Sequence, residues 1–452
     1  TIYEKADRVG GTWRDNTYPG VACDVPSHLY SFSFAPKHDW TRAYSPGAEI
    51  QEYCQAVADE YGLGDYLHFV HTLEHSELKE GKWYLTFSNG KQIEADYLIS
   101  CIGGLHIPSY PSIEGRAAFK GKAFHSAEWD HSYDLSGKKV AVIGTAASAL
   151  QLIPEIVEKV KHLNVYQRTA NWVMPREEKI YSEALKKQFG RWPILAKLLR
   201  LWIYILHEMR VPLFRGNSFF QKRAEAMAKK HLDGQVTNHC LREKLTPNYP
   251  IGCKRILASD RYFPALQREN VTLHTNQIRR ILPQGIEMHN GDVHEVEAII
   301  YATGFKPFDI ADKLEVTGKD GLQLSHYMQD GIRAHRSVAV PGFPNYFMLL
   351  GPNSGLGHNS IILIIEAQAD YILQAINYVT KTSRKTVNVK KEVADAFNAD
   401  LQKQLKDTIW SSSNCRSWYQ DADGRIFTLW PKGTVSFKRA LSKFDPDEYL
   451  IE

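Results

Sequence analysis

Val140-Ala141-Val142-Ile143 is an unbroken apolar run that stops at the turn Gly144-Thr145-Ala146-Ala147-Ser148-Ala149 and gives way to apolar residues at helical spacing. Such a run suits a strand buried on both faces, and strands of that kind belong to parallel sheets joined by helices. An α/β fold is therefore expected. The turn is a G-x-A-x-x-A variant of the G-x-G-x-x-G turn that lays a dinucleotide pyrophosphate on a helix N-terminus, and the flanking strand and helix are the context this motif requires. Gly144, Thr145, Ala146, Ser148 and Ala149 are its candidate cofactor contacts, with the methyl of Ala146 holding a pyrophosphate slightly farther from the backbone.

The following strand, expected over residues 163–166, ends in Gln167-Arg168-Thr169. A site for NADH usually carries Asp or Glu near this point to bind the ribose hydroxyls, whereas arginine suits a 2′-phosphate. Arg168 and Thr169 therefore point to NADPH, the alternative being an exposed arginine with no ligand.

A second nucleotide unit opens the chain. Thr1-Ile2-Tyr3 is β-prone and ends in Glu4, placed to accept hydrogen bonds from ribose hydroxyls, and Gly10-Gly11-Thr12-Trp13 follows. The strand and glycine-rich turn that would precede Glu4 in a whole βαβ unit are not in the sequence, which reads as truncation of the chain. True loss of that element would instead leave a non-catalytic NADPH-binding protein.

At 452 residues the chain is long enough for two or three domains. A formal net charge of +4, without a basic tract interleaved with aromatics, excludes nucleic acid as the expected partner. Six cysteines occur singly, with no C-x-x-C pair to suggest a redox disulfide or a metal site, which fits a reducing cytoplasm. No secretory signal or membrane-spanning run is visible. Residues 193–214 are strongly apolar but interrupted by Lys197, Arg200, Glu208 and Arg210. They read first as a helix packed between domains, and otherwise as a basic amphipathic helix that makes weak membrane-surface contact or walls a pocket for long apolar substrates.

Between the two nucleotide units, residues 119–130 read FKGKAFHSAEWD, and Phe119, Gly121, His125, Trp129 and Asp130 match F-x-G-x-x-x-H-x-x-x-W followed by Pro or Asp. The first four at that spacing arise by chance in on the order of one in a thousand chains of this composition. The pattern resembles the fingerprint of type I Baeyer–Villiger monooxygenases. The resemblance extends to Tyr18-Pro19-Gly20 with Asp24, to aromatic Tyr30 and Trp40, to Lys254 and Arg255, to Ala302-Thr303-Gly304, and to the glycine-rich loop at 351–360 leading into an apolar helix over 361–379.

What the resemblance implies is a pair of Rossmann-like dinucleotide-binding domains with a helical insertion. The first part of an FAD-binding domain, with the linker fingerprint, would span 1–136. An NADPH-binding domain would span 137–296, with its insertion at about 178–240, and the second part of the FAD domain with a C-terminal cover would span 297–452. The tail itself, residues 410–452, holds many aromatics, including Trp418, Tyr419 and Trp430, and reads as a strand-rich cover over the active site or the FAD domain. Glu4, Gly11, Thr12, Trp13, Asp24, Tyr30 and Asn359 would face FAD, and Lys254 would join the NADPH contacts. NADPH would reduce the flavin, which with O2 gives a C4a-peroxyflavin that attacks an apolar ketone to yield an ester or lactone. Arg255 would stabilise the anionic peroxide and Asp24 would orient Arg255, while His125 and Trp129 would couple NADPH position to flavin chemistry. A related flavin monooxygenase that oxidises sulfur or nitrogen is the competing reading.

Overall fold

The computed structural model describes residues 1–307, 314–412 and 415–452. Its central feature is a five-stranded, wholly parallel sheet in the order Val271–His274, His162–Tyr166, Lys139–Ile143, Ala298–Tyr301 and Lys122–His125. Val140, Ala141 and Val142 are fully buried, Val140 and Val142 towards one face of the sheet and Ala141 towards the other. The continuous apolar run follows directly from burial on both sides. Helix Ala147–Ile156 covers one face with Leu152, Ile153 and Ile156. A three-stranded antiparallel meander, Ile278–Leu282, Gly285–Met288 and Val293–Glu295, covers the other. The edge strand comes from the fingerprint stretch, and its neighbour Ala298–Tyr301 precedes Ala302-Thr303-Gly304, so both crossings between nucleotide units leave from this sheet.

Strand Ile2–Tyr3 pairs in parallel with Leu67–His68, and Leu98–Ser100 pairs in parallel with Tyr346–Met348. Beside them, Leu73–Lys79, Lys82–Phe87 and Gln92–Ala95 form an antiparallel meander to which Glu315–Thr317 adds in parallel. Helices Ile362–Lys381 and Lys391–Lys406 pack their apolar stripes into a cluster that includes Phe347 and Tyr371.

The insertion is helical, from Glu183–Arg191 through Pro193–Glu208, Val211–Phe214 and Ser218–Gln235 to His239–Leu245. The side chains of Ser182, Asn217 and Asn238 accept backbone N–H groups at three of the helix starts, and Pro193 occupies a first-turn position where no donor is needed. The expectation that residues 193–214 pack between domains is corrected in part. Of helix Pro193–Glu208 only Ala196 and His207 are buried, while a full apolar side faces solvent.

Two further expectations change. The tail is not strand-rich: among the described residues past Trp410 it holds helix Thr434–Ala440, short 3-10 turns and one strand, Tyr449–Ile451, paired with Val387–Val389. Apart from Trp418, which is 44% exposed, its aromatics are buried, among them Tyr419, Trp430 and Phe437 in the helix-walled cluster, so aromatic content there reports burial rather than a ladder, and Pro431, Gly433 and Pro446 interrupt pairing. Among the cysteines, solitary in sequence, Cys253 and Cys415 form a disulfide across a separation of 162 residues, and Cys23, Cys54, Cys101 and Cys240 are free.

Candidate active site

Helix Ala147–Ile156 begins at the end of the central strand, with Ala146 as an extended N-cap that offers no side-chain acceptor. Its first N–H groups are thus left to another partner, as an anion site requires. Gly144 has φ +109°, and a Cβ there would lie 2.3 Å from the carbonyl oxygen of Ala302, so only glycine fits. Ala149 is fully buried against the sheet, which brings helix and strand close. Thr145 is fixed from behind, since Asn171 Nδ2 donates to its carbonyl at 2.9 Å. Ser148 is half-buried in the first turn and lies beside the Tyr18 hydroxyl.

Arg168 is exposed beyond strand His162–Tyr166, with Thr169 half-buried next to it. Lys254 lies near enough to Arg168 that its pKa is lowered, first by burial and then by the arginine's charge, and its ammonium sits 4.6 Å from the Tyr249 ring centre. Neither cation has a carboxylate partner among the described residues. Two neighbouring cations without a carboxylate are the chemistry that a multiply charged anion such as the 2′-phosphate of NADPH requires, and the residues present fit that group.

Asp24 and Arg255 meet in a bidentate pair, Nε donating to Oδ2 and Nη2 to Oδ1, both at 2.7 Å. The Arg255 side chain as a whole is 44% exposed, and the field of Asp24 raises its pKa further above the ordinary arginine value although desolvation opposes this. Tyr18-Pro19-Gly20 delivers Asp24 by docking on helix Ala147–Ile156. Tyr18 donates to Gln151 Oε1 at 2.8 Å, Gln151 Nε2 donates to the Ala22 carbonyl at 2.9 Å, and a Cβ on Gly20 would lie 2.6 Å from the Gln151 carbonyl. Asp24 and Ala147 consequently line one small cleft, so the charge pair lies beside the nucleotide helix.

On the other side, Gly11 has φ +50° with open space where a side chain would be, ahead of the short helix Thr12–Asp15. Trp13 donates from Nε1 to Tyr30 Oη at 3.2 Å with the rings edge to face, and both pack on a cluster that includes Leu363 in the first turn of helix Ile362–Lys381. That helix has no side-chain cap, and the hydroxyl of Ser360 just before it is buried without a hydrogen-bond partner among the described residues. An aromatic wall, an open glycine and an orphan buried hydroxyl at a helix start fit a flavin ring system. Trp40 is fully buried core. Glu4 accepts the Ala6 N–H at 2.9 Å and pairs with Arg14 at 3.2 Å. Asn359 donates to Thr434 Oγ1 and Glu208 Oε2 and accepts the Ser360 N–H, so its polar atoms are engaged within the chain.

The fingerprint residues form a joint rather than a surface. Phe119 packs under the sheet, a Cβ on Gly121 would lie 2.4 Å from the Glu297 carbonyl, and Trp129 meets Phe124 edge to face. His125 is fully buried between Tyr110 and Phe305, and its Nδ1 accepts the Ala127 N–H at 3.1 Å. Burial lowers its pKa. Asp130 pairs with Lys122 at 2.5 Å and accepts two hydrogen bonds from Ser132.

Sequence reasoning missed three residues. Gln151 is the bracket between the Asp24 loop and the nucleotide helix, and nothing at a helical glutamine signals that. Tyr419 lies close enough to Arg255 to raise its pKa electrostatically and comes from the tail. Glu208 joins three segments: it accepts from Asn359, from the Thr434 and Val435 N–H groups, and meets His358 Nε2 at 3.3 Å. Partial burial opposes its ionisation, yet the His358 and backbone donors hold its pKa down to about 2. Its signal was present, since Glu208 is one of only two acids between residues 184 and 230.

Residues 1–188 match the family described as FMO-like, flavin-binding monooxygenase-like. The chain is 41% identical to a Baeyer-Villiger monooxygenase of Pseudomonas aeruginosa over 100% of this chain and 86% of that protein. It is 39% identical to a Baeyer-Villiger monooxygenase of Streptomyces coelicolor, over 100% of this chain and 87% of that one. Among solved structures, an oxidized steroid monooxygenase bound to NADP superposes with a TM-score of 0.88 at 26% identity, covering 99% of this chain and 94% of the other. An open crystal structure of cyclohexanone monooxygenase shares the fold with a TM-score of 0.86 at 22% identity, covering 100% and 94%.

Proposed function

Because the chain belongs to the Baeyer–Villiger monooxygenases, we propose that it uses FAD and NADPH to insert one oxygen atom of O2 beside the carbonyl of an apolar ketone, yielding an ester or lactone. The bidentate Arg255–Asp24 pair, beside the nucleotide helix, carries this reading. When bound, the two cofactors supply hydride transfer and oxygen activation. Arg168 and Lys254 hold the 2′-phosphate, and the turn Gly144, Thr145, Ala146 with Ser148 and Ala149 receives the pyrophosphate on free N–H groups. Gly11, Thr12, Trp13 and Tyr30, with the start of helix Ile362–Lys381, enclose the flavin. Glu4 shapes the adjoining backbone through Arg14, and Asn359 holds its loop through Glu208 and Thr434.

Arg255 presents a permanent positive charge where negative charge develops on the transferred oxygen, and it remains ionised at any working pH. Asp24 holds the guanidinium plane by two parallel hydrogen bonds, leaving further N–H donors for the reacting oxygen. Phe119, Gly121, His125, Trp129 and Asp130 transmit position between the nucleotide units, and no proton transfer is asked of His125. Oxidation of sulfur or nitrogen is the second reading, favoured only by the shared flavin-binding family match.

The test mixes protein and FAD anaerobically with NADPH, follows flavin bleaching, and then admits O2 with ketone and sulfide panels. Bleaching followed by ester is the expected result. Arg255→Ala should bleach at the parent rate and lose ester formation by at least about 100-fold, the scale of a removed transition-state donor. Undiminished ester output from that variant would remove Arg255 from the mechanism, and sulfoxide without ester would favour the second reading.

A further inference from the structure

Helix Pro193–Glu208 leaves an apolar stripe without a partner. Ile194, Leu198, Leu201, Trp202, Ile205 and Met209, at the three- and four-residue spacing of one helix face, are 41–61% exposed. The opposite face is anchored, because Arg200 Nη1 donates to the His28 carbonyl at 2.7 Å and to Ser31 Oγ at 3.0 Å, and His207 is buried. The stripe is therefore presented rather than frayed. It continues past the helix end, where Met209, Phe220 and Val435 stand on a pocket of about 770 Å³. Contiguous exposed apolar surface of this kind marks an interaction site.

Charge identifies the occupant. Residues 184–230 hold eleven lysines and arginines against two glutamates, whereas the whole chain is only +4. Glu208 is turned inward to His358 and Thr434, and among the described residues Lys186 is the only one of the eleven cations with a carboxylate partner. Arg191, Lys197, Lys222 and Arg223 are exposed. A second copy meeting this face about a two-fold axis would set like charges against each other. A bilayer rich in anionic headgroups answers both features, taking the apolar side chains into its interfacial layer while the flanking cations meet phosphates. Trp192 and Trp202, 54% and 58% exposed, are suited to that depth. No helix among the described residues is long and apolar enough to cross a membrane, so the contact lies in the surface plane.

We propose that the insertion helix Pro193–Glu208 binds the full chain peripherally to anionic lipid surfaces. Flotation with phosphatidylcholine vesicles, with and without phosphatidylglycerol, tests it. The protein should float at least ten-fold more with the anionic vesicles, and raising the salt should reverse most of that difference. The double variant Leu198→Ser with Trp202→Ser and the double variant Arg191→Glu with Lys197→Glu should each lose at least ten-fold of the binding while oxidising NADPH at the parent rate. No flotation, or flotation unchanged by both variants, overturns the proposal. A concentration-dependent dimer that the Leu198 and Trp202 substitutions dissociate, without vesicle binding, assigns the face to a second copy instead.

Discussion

Asp24 and Arg255 stand 231 residues apart and share two hydrogen bonds, a pairing that no local pattern announces. The pairing was implied only through the family resemblance; what the residues themselves carry at this scale is chemical suitability, a fork of donors and a carboxylate that matches it. Gly121 and Gly144 illustrate the same division. Each was singled out by motif, but the reason for glycine is a carbonyl 2.4 or 2.3 Å from where a Cβ would sit, contributed by Glu297 and Ala302 far along the chain. Arg168 and Lys254 form a cationic pair with no acidic counterweight among the described residues. Arg168→Ala should therefore raise the KM for NADPH by roughly 10- to 100-fold and that for NADH by less than about 3-fold. Equal losses with both coenzymes would show that Arg168 acts on the fold rather than on a 2′-phosphate.

At the scale of elements, strand, turn and helix from Lys139 to Ile156 were legible because each uses local chemistry: apolar residues for a strand buried on both faces, glycine for the turn, small residues for close packing. The tail was misread because its aromatics signal burial, which irregular chain achieves as well as strands do. The insertion was read correctly as helical, but which of its faces would be covered was not. Its attachment depends on Glu208, whose oxygens receive Asn359, Thr434 and Val435. Glu208→Ala should leave those donors unsatisfied at a cost of about 2 kcal/mol, lowering the unfolding midpoint of a chain of this size by roughly 2 °C. Scanning calorimetry of the variant decides this, and an unchanged midpoint would mean that the insertion is held by its apolar contacts alone.

For the whole molecule, pH dependence follows from buried groups in separate regions. Burial pushes His28, His207 and His274 down to about 4, so the folded chain resists protonation that the unfolded chain accepts below the ordinary histidine value of about 6.5. Stability should therefore fall as the pH drops from about 6.5 towards 4. Glu208 and Glu448 are held down to about 2 against partial burial, Glu448 by His335 and Arg336. Their contribution is complete above the ordinary glutamate value of about 4.3 and is lost as the pH falls through about 2. Urea midpoints measured from pH 7 to pH 3 should decline in these two stages, and a flat profile down to pH 4 would contradict the histidine assignments.

The sequence by itself determined the α/β class, the nucleotide turn, the fingerprint stretch and the helical insertion, because each is written in residue types and spacings that act over one or two elements. Tertiary structure alone decided that the fingerprint supplies an edge strand to the parallel sheet, that Cys253 finds Cys415, and that Gln151 brackets the Asp24 loop. It also decided that the insertion's apolar stripe faces outward. The physical reason is common to all four. Amphipathic spacing specifies that a helix has an apolar side and residue chemistry specifies what a group can bond, but which partner arrives depends on how separate segments fill the same space.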